Sequence, residues 1–435
     1  MSTHAGASLV SSRLVAGRLL GKKDAGLGAY TLKAQRDGPI YYPRVLPDSA
    51  GFNYESNATG EKVTTRLPKE WMRDNCSCAE CVNPVTRQRS FDILAHSRLI
   101  EPSQVLPNMD GFEVLWSDHH RSRYTWHWLQ SALPGGKHPY AIEVAQRLWN
   151  RRLIYENPPE ISFRAVMKEN SVRGVADLTS KIREHGFCFV SNTPVTPEDT
   201  KSLLERIGPI RNTHYGGFYD FTPNMAKADM AYSNAALDLH TDTTYFTDPA
   251  GLQAFHLLSH TGPNGEEIRL HERGGQSILV DGFYVAHRLR LERRDHFQTL
   301  QTIKLPWHAS GNQDAAMTPA KAYPVIEGTS KSVMRIRWNK DDRGTLPLNI
   351  NTKWWYNAAR EWDTIVNRQE NQYEFLLEPG RVLIFDNWRI LHGRREFWGR
   401  RRICGGYINR DDFISRWKLS NFPREAVIAN NMIAA

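Results

Sequence analysis

Short runs rich in β-branched and aromatic residues, each bounded by Gly, Pro or Asn, recur at wide and irregular intervals: 187–190, 252–258, 277–280, 333–338, 382–385 and 402–408. Runs of this kind read as strands. Helical patterns occupy some of the gaps, over 283–300 and 353–368, but not all. A doubly wound parallel sheet needs a helix between successive strands, so this spacing favours an antiparallel barrel carrying helical insertions. The expected class is mainly β with α.

Two helices are predicted ahead of these strands. One runs from about Val175 and stops at Gly186; the other is opened by Thr196-Pro197-Glu198-Asp199, with a capping Thr, a Pro in the first turn and an acid three residues on. Upstream, residues 30–135 alternate turn formers with short apolar runs such as Phe112-Glu113-Val114-Leu115-Trp116, the pattern of a small β-rich domain. A helical period over 140–149 and the break at Asn157-Pro158-Pro159 place the domain boundary between 135 and 160. The expected organisation is a tail over 1–29, a small domain over 30–135, a linker with a helix over 136–160, the main domain over 161–420 and a C-terminal tail over 421–435.

At 435 residues the chain has room for two or three domains. No apolar run nears the roughly 18 residues of a membrane span. The net charge of +9 suggests an anionic partner, but Lys and Arg are scattered, and the short runs Arg293-Arg294 and Arg400-Arg401-Arg402 are flanked by acids or aromatics, so nucleic acid is not expected. Residues 1–23 carry Arg13, Arg18, Lys22 and Lys23 with no acid before Asp24, a composition shared by mitochondrial transit peptides and disordered basic tails. The mitochondrial matrix is the expected location, with the cytoplasm as the alternative.

Three sets of residues carry chemistry. In His240-Thr241-Asp242 an extended backbone turns residues i and i+2 to one side, which supplies two of the three ligands of a facial 2-His-1-carboxylate iron site. A solvent-exposed polar pair would give the same tripeptide. The distant run 380–393 adds a strand that delivers His392 at a turn, where a third ligand belongs, and nine residues later Arg401 opens the next strand with a fork suited to a carboxylate. In the second set, Cys76, Cys78 and Cys81 crowd together among only five cysteines, which points to structural zinc in a reducing compartment, with His96, His119 and His120 as candidate fourth ligands and free surface thiols or a redox pair as the alternatives. The third set is aromatic: Tyr215, Phe218, Tyr219, Tyr232, Trp338 and Tyr407 are either core or a π cage for a quaternary ammonium.

With these residues in hand, the runs Trp71-Met-Arg-Asp-Asn-Cys-Ser-Cys-Ala-Glu-Cys81, Trp116-Ser-Asp-His-His120, His240-Thr-Asp-Thr-Thr-Tyr-Phe246, Leu279-Val-Asp-Gly-Phe283, Arg335-Ile-Arg-Trp-Asn339 and Asp386-Asn-Trp-Arg-Ile-Leu-His-Gly393 resemble the γ-butyrobetaine and trimethyllysine dioxygenases. The likeness spans 65–415, with HTDTTYF and CGGYINRDD closer to the trimethyllysine branch. It implies a double-stranded β-helix (jelly-roll) catalytic domain behind a small β-rich zinc-binding domain. His240, Asp242 and His392 match the iron ligands, Arg401 the residue that pairs with the distal carboxylate of 2-oxoglutarate, and Ser277 a hydroxyl that helps hold it. Cys76, Cys78, Cys81 and His120 match the zinc ligands, with His119 where the family usually has Gly. Tyr215, Tyr219, Tyr232 and Tyr407 match the positions around a trimethylammonium group, Tyr219 standing where relatives tend to carry Trp. The charged stretch 264–273 looks like an insertion between two strands, where loop closure is entropically cheap, or an error in the gene model.

Three protein ligands on one face leave three positions of an octahedral Fe(II) for a keto acid and O₂. The protein must then fix both substrate ends, with Asp229, Asn339 and Arg343 as candidates for the amino-acid end. The implied reaction is hydroxylation of N6-trimethyllysine at C3, the first step of carnitine biosynthesis, with γ-butyrobetaine hydroxylation as the alternative. Ascorbate as reductant, structural zinc and a homodimer belong to the same implication. A non-catalytic jelly-roll binding protein would not require all three iron ligands and Arg401.

Overall fold

The computed structural model describes residues 44–48, 51–56, 63–95, 100–133, 142, 145–222, 234–269, 272–329 and 332–431. The chain divides into two compact units, one ending at Gln130 and one beginning at Ser131. Among the described residues no helix is long and apolar enough to cross a membrane.

The first unit holds two antiparallel three-stranded sheets, β1 (Arg44–Asp48), β2 (Gly51–Ser56) and β3 (Val63–Pro68), then β4 (Pro102–Pro107), β5 (Gly111–Trp116) and β6 (Arg121–Thr125). Alternation along β5 buries Phe112, Val114 and Trp116, and along β6 Ser122 and Tyr124, so one face of this sheet is core. Trp116 Nε1 donates to Ser122 Oγ at 2.9 Å, which gives the buried indole its partner. The helix Lys69–Asp74 is tied to that face by Tyr124 Oη, which donates to the Met72 carbonyl at 2.5 Å.

In the second unit the strands follow as β7 (Glu160–Ser162), β8 (Phe187–Ser191), β9 (Tyr219–Phe221), β10 (Leu237–His240), β11 (Leu252–Thr261), β12 (Ser277–Asp281), the short hairpins β13 (Ala309–Asn312) with β14 (Ala315–Met317) and β15 (Ile326–Gly328) with β16 (Val333–Ile336), and then β17 (Tyr373–Phe375), β18 (Val382–Asp386), β19 (Ile390–Arg394) and β20 (Arg400–Ile408). A six-stranded sheet has the order β7-β8-β18-β11-β20-β9 and a four-stranded sheet the order β10-β19-β12-β17, antiparallel except where β7 pairs with β8. Leu257, Leu383, Phe385 and Ile403 of the first sheet share a core with Leu279, Ile390 and Tyr373 of the second, so the sheets pack face to face. The opposite faces are also covered. Helices Arg173–His185, Pro197–Glu205 and Arg410–Asn421 pack on Cys188, Val190, Val382 and Ile384, while helices Gly282–Glu292, Arg294–Thr302 and Thr352–Val366 pack on Ile278, Val280 and Leu391.

This layering explains why the strands read as unbroken apolar runs: they are buried on both faces. Each fully buried Leu, Ile or Phe contributes on the order of 1.5–3 kcal/mol. The strand period of two then fixes which residues face inward. Leu383 and Phe385 point between the sheets, and Val382 and Ile384 point to the helices. By the same alternation Gln253, Ser277, His392, Arg394, Arg401 and Tyr407 turn inward with Leu257, Leu279, Ile390 and Ile403. A buried ion pair ties β12 to the β18–β19 turn: Asp281 accepts from Arg389 Nε at 3.0 Å and Nη2 at 2.7 Å, and from the backbone of Phe283 and Tyr284 at the helix start.

Several expectations are refined. Gly186 ends its helix in the left-handed region (φ 85°), and Thr196 accepts from Asp199 N at 3.1 Å, as predicted. The stretch predicted as one helix over 283–300 is two, separated at Arg293, whose φ of −145° is not helical. The helical period over 140–149 does not make a helix where described. Residues 145–150 run irregularly, because Trp149 is spent as an anchor: its indole donates to the His185 carbonyl at 2.6 Å and its backbone N to Asp281 Oδ2 at 3.1 Å. The helix in this linker is Arg151–Tyr155. His392 lies in mid-strand on β19, not at a turn, because the chain reverses earlier, at 387–389.

Candidate active site

His240 ends β10 and pairs across the ladder with His392 on β19. The chain then turns sharply, with Thr243 in the left-handed region (φ 56°), a costly conformation for a β-branched residue. That turn swings Asp242 back toward the two imidazoles. His240 Nε2 lies 3.1 Å and His392 Nε2 3.7 Å from Asp242 Oδ1, and the three donor groups lie within 4.8 Å of one another. The other carboxylate oxygen is occupied: Asp242 Oδ2 accepts from Gln253 Nε2 at 2.6 Å and Tyr407 Oη at 2.7 Å. The Asn387 side chain holds the turn itself, accepting from Asp242 N at 2.8 Å and donating to the Asp242 carbonyl at 2.9 Å and the Ala250 carbonyl at 3.1 Å. His240 Nδ1 donates to the Asp238 carbonyl at 2.7 Å, which leaves Nε2 facing the centre.

The electrostatics suit metal ligation. Burial, then the charge of His240, push His392 down to about 3, so its ring is neutral near pH 7. Burial would raise Asp242, but His240 and His392 hold it well below the usual carboxylate range. Burial would likewise lower His240, yet the hydrogen bond and charge of Asp242 push it up to about 9. Two imidazole nitrogens and one carboxylate oxygen converging from one side fit an octahedral Fe(II) with an open face.

These groups line a cavity of about 590 Å³, whose wall also includes Tyr215, Tyr219, Tyr245, Ser277, Asn339, Asp342, Arg394 and Arg401. Arg401 is 2% exposed; its Nη1 reaches the Gly275 carbonyl at 3.4 Å, its Nε has no partner, and among the described residues no carboxylate pairs with it. Burial, then neighbouring Arg394, push it down to about 9, so an anion delivered here would recover the cost of a desolvated cation. A dicarboxylate co-substrate fits a cavity with a buried cation of this kind. Ser277 lies directly across the ladder from Arg394, beside the same corner.

The predicted aromatics divide. The Tyr219 and Tyr407 rings meet edge to face at 6.0 Å, with Tyr219 Oη donating to the Ala254 carbonyl at 2.6 Å. Tyr215 lies against His214 and hydrogen-bonds Tyr245. Tyr232 and Asp229 lie outside the described residues. Phe218 packs on the helix-covered core and Trp338 on the core of the four-stranded sheet, away from the cavity wall. Arg343 is absent from the wall as well: its guanidinium lies over the Trp355 ring at 5.3 Å, a cation–π contact that turns it aside. Gln253, Asn387, Tyr245 and Asp342 escaped the sequence reading. Gln253 left a signal, a lone amide in an apolar strand buried on both faces.

In the first unit, Cys76, Cys78 and Cys81 follow the helix Lys69–Asp74, and their sulfurs lie 3.3, 3.6 and 3.5 Å from His120 Nε2. Four donors closing on one point suit a tetrahedral ion. Of the candidate histidines, His120 joins the cluster, His119 occupies the exposed tip of the β5–β6 turn, and His96 lies outside the described residues. His119 has a φ of 65°, in the left-handed region that glycine adopts without strain. Arg73 braces the cluster through Cys81 Sγ at 3.2 Å and Asp118 at 3.1 Å. In the predicted insertion, the described residues 264–269 leave the end of β11 through a tight turn, with Gly262 N bonded to the Glu266 carbonyl at 2.8 Å and Gly265 at φ 90°.

The paired sheets and His-Asp-His centre define a class, and the family comparison agrees: residues 150–407 match the model for taurine catabolism dioxygenase TauD, TfdA family, and 59–130 the model for the N-terminal region of γ-butyrobetaine hydroxylase-like proteins. Trimethyllysine dioxygenase from Neurospora crassa is 47% identical over 419 residues, covering 89% of this chain and 88% of that protein. The human mitochondrial trimethyllysine dioxygenase is 34% identical, covering 81% and 82%. A solved taurine dioxygenase from Burkholderia xenovorans aligns over 62% of this chain and 91% of its own, with 12% identity and a TM-score of 0.43. The chain belongs to the trimethyllysine dioxygenases within the TauD, TfdA family of iron- and 2-oxoglutarate-dependent dioxygenases.

Proposed function

We propose that this chain hydroxylates N6-trimethyllysine at C3, the opening step of carnitine biosynthesis, in the mitochondrial matrix. The observation that carries the reading is one cavity holding both a His240-Asp242-His392 centre and a buried Arg401 that pairs with no carboxylate among the described residues. His240, Asp242 and His392 hold Fe(II), with Gln253 and Tyr407 keeping Asp242 Oδ1 turned to the metal. Arg401 and Ser277 take the distal carboxylate of 2-oxoglutarate. Bound iron supplies the oxidation: 2-oxoglutarate and O₂ are consumed, one C–H becomes C–OH, and succinate and CO₂ leave. Ascorbate keeps the iron ferrous between turnovers. Tyr215, Tyr219 and Tyr407 of the aromatic wall, joined by Tyr232, receive the trimethylammonium group, which offers no hydrogen-bond donor and is best held by π faces. Asn339 and Asp229 serve the amino-acid end. Fixing both ends is what presents a single C–H for reaction.

In the same reading the second unit is a double-stranded β-helix, Cys76, Cys78, Cys81 and His120 hold structural zinc, and the protein works as a homodimer. The mitochondrial names of the mammalian relatives support the location. Parallel assays with trimethyllysine and γ-butyrobetaine test the reading. We expect hydroxylated trimethyllysine at a kcat/KM at least about tenfold above that for γ-butyrobetaine, a difference of one charged contact. Equal or reversed preference would contradict it.

A further inference from the structure

Of the three consecutive arginines that open β20, only Arg401 turns inward; Arg400 and Arg402 are exposed, and Arg402 Nε donates to Asp220 at 2.9 Å. The cation that the proposed function gives to the distal carboxylate of 2-oxoglutarate is therefore cut off from water, and the protein itself must hold its fork in place. Among the described residues its hydrogen bond is a long one: Nη1 reaches the Gly275 carbonyl at 3.4 Å, beyond the usual range for an N–H donor.

The closer support is a ring. The Arg401 guanidinium carbon lies 5.1 Å from the centroid of Phe397, and that of Arg394 lies 4.7 Å from the same centroid, both within reach of cation–π attraction. Two guanidiniums in one corner repel, and the shared ring offers each an attraction without bringing in an acid. Phe397 is itself buried and pinned from several sides. Its backbone bridges to Gly274, its N donates to the Asn234 carbonyl at 3.2 Å, and Gly275 N donates to the Glu396 carbonyl at 2.8 Å. His260, opposite Arg401 in the ladder, meets the ring edge to face at 5.8 Å and donates from Nε2 to the Trp398 carbonyl at 2.8 Å. Gly275 completes the fit. Its φ is 69°, and a Cβ there would fall 2.9 Å from both Arg401 Nη1 and Phe397 Cβ, so guanidinium and ring fill the space a side chain would take. The cavity wall includes Arg401 and Arg394 but not Phe397, which stands behind them.

We propose that Phe397 is a positioning residue for the co-substrate: clamped by the Gly274-Gly275 turn, its ring fixes the Arg401 fork relative to the His240-Asp242-His392 centre and so selects a keto diacid of the length of 2-oxoglutarate. This inference rests on the proposed function, which places the distal carboxylate at Arg401. A keto diacid held at the centre by one end and at Arg401 by the other spans a set gap. A rigidly held cation favours one chain length, and a loosened one accepts a longer chain with less loss.

The test is a binding titration of the full chain loaded anaerobically with Fe(II), in which absorption of the metal–keto-acid chelate reports occupancy without turnover. It compares 2-oxoglutarate with 2-oxoadipate, one methylene longer, in wild type, Phe397→Leu and Phe397→Tyr. Leucine keeps apolar bulk and removes the π face, whereas tyrosine keeps the face. In Phe397→Leu the Kd for 2-oxoglutarate is expected to rise about tenfold and that for 2-oxoadipate by less than about threefold, so the preference narrows. Phe397→Tyr should stay within about twofold of wild type, and Fe(II) affinity should be unchanged in both. Gly275→Ala crowds the same guanidinium from the other side and should repeat the loss for 2-oxoglutarate with Phe397 intact; this variant keeps the idea exposed if the leucine variant folds poorly. An unchanged keto-acid ratio in Phe397→Leu, no loss in Gly275→Ala, or equal losses of keto-acid and Fe(II) binding would overturn the role of Phe397 while leaving the proposed reaction standing. Failure of the wild type to bind 2-oxoglutarate, or undiminished binding in Arg401→Met, would instead remove the reading on which this inference rests.

Discussion

The chain gathers metal-fit side chains in two places, on opposite plans. In the first unit, three cysteines from one short knuckle and His120 from the next hairpin close around a point from all sides. In the second, His240 at the end of β10, Asp242 on the turn that follows and His392 on β19 approach from one side, with a cavity of about 590 Å³ on the other. The closed set has no position left for substrate, whereas the open set faces the cavity. Local sequence builds the first. The second exists only once two sheets are packed and Asn387 has pinned the Asp242 turn. On the proposed reading the closed site serves stability and the open one chemistry.

The largest effect should separate the two plans outright. Asp242→Ala is expected to reduce turnover by at least about 10³-fold, as loss of an essential group does, while metal analysis still finds the metal of the cysteine site. Loss of both metals would show that the sites are not independent. In the converse experiment, Cys81→Ser should destabilise the first unit by several kcal/mol, because in a small unit metal-binding energy is folding energy; thermal unfolding with and without a chelator measures this. A chelator that removes the open-site metal should stop turnover with little change in the unfolding of the second unit.

Smaller effects sharpen the comparison within each site. Arg401→Met should raise the KM for 2-oxoglutarate about 100-fold, the loss of a desolvated charge-assisted pair, with metal affinity unchanged; a titration of each ligand distinguishes the two. Gln253→Ala removes one of the two donors on Asp242 Oδ2 and should weaken Fe(II) binding about tenfold, read by titration under anaerobic conditions. The smallest change is a gain. His119→Gly relieves a left-handed backbone and should stabilise the first unit by about 0.5–1 kcal/mol in denaturant unfolding, whereas His120→Ala should cost as much as losing a cysteine.

The comparison also explains what the sequence could reveal. Strands such as Val382–Asp386 were legible because burial on both faces makes them uniformly apolar. β10 (Leu-Asp-Leu-His) and β19 (Ile-Leu-His-Gly-Arg) were not, because they spend polar residues on the cavity and break the pattern. The cysteine knuckle announces itself through spacing, and His120 follows from resemblance. By contrast, Gln253, Asn387 and Asp342 act on a turn distant from them in sequence, and no local pattern links them to it. The apolar period over 140–149 misled for a related reason: Trp149 packs against the second unit's core, and hydrophobicity alone does not distinguish a helix face from an anchored coil.

The account's central claim is that the open site couples keto-acid oxidation to hydroxylation of trimethyllysine. The direct measurement loads the protein anaerobically with Fe(II) and 2-oxoglutarate, adds trimethyllysine and O₂, and follows succinate and hydroxylated product together, with His240→Ala alongside. The account predicts equal amounts of the two products from the wild type and neither from the variant. Succinate without hydroxylated trimethyllysine, or product formation undiminished in His240→Ala, would contradict it.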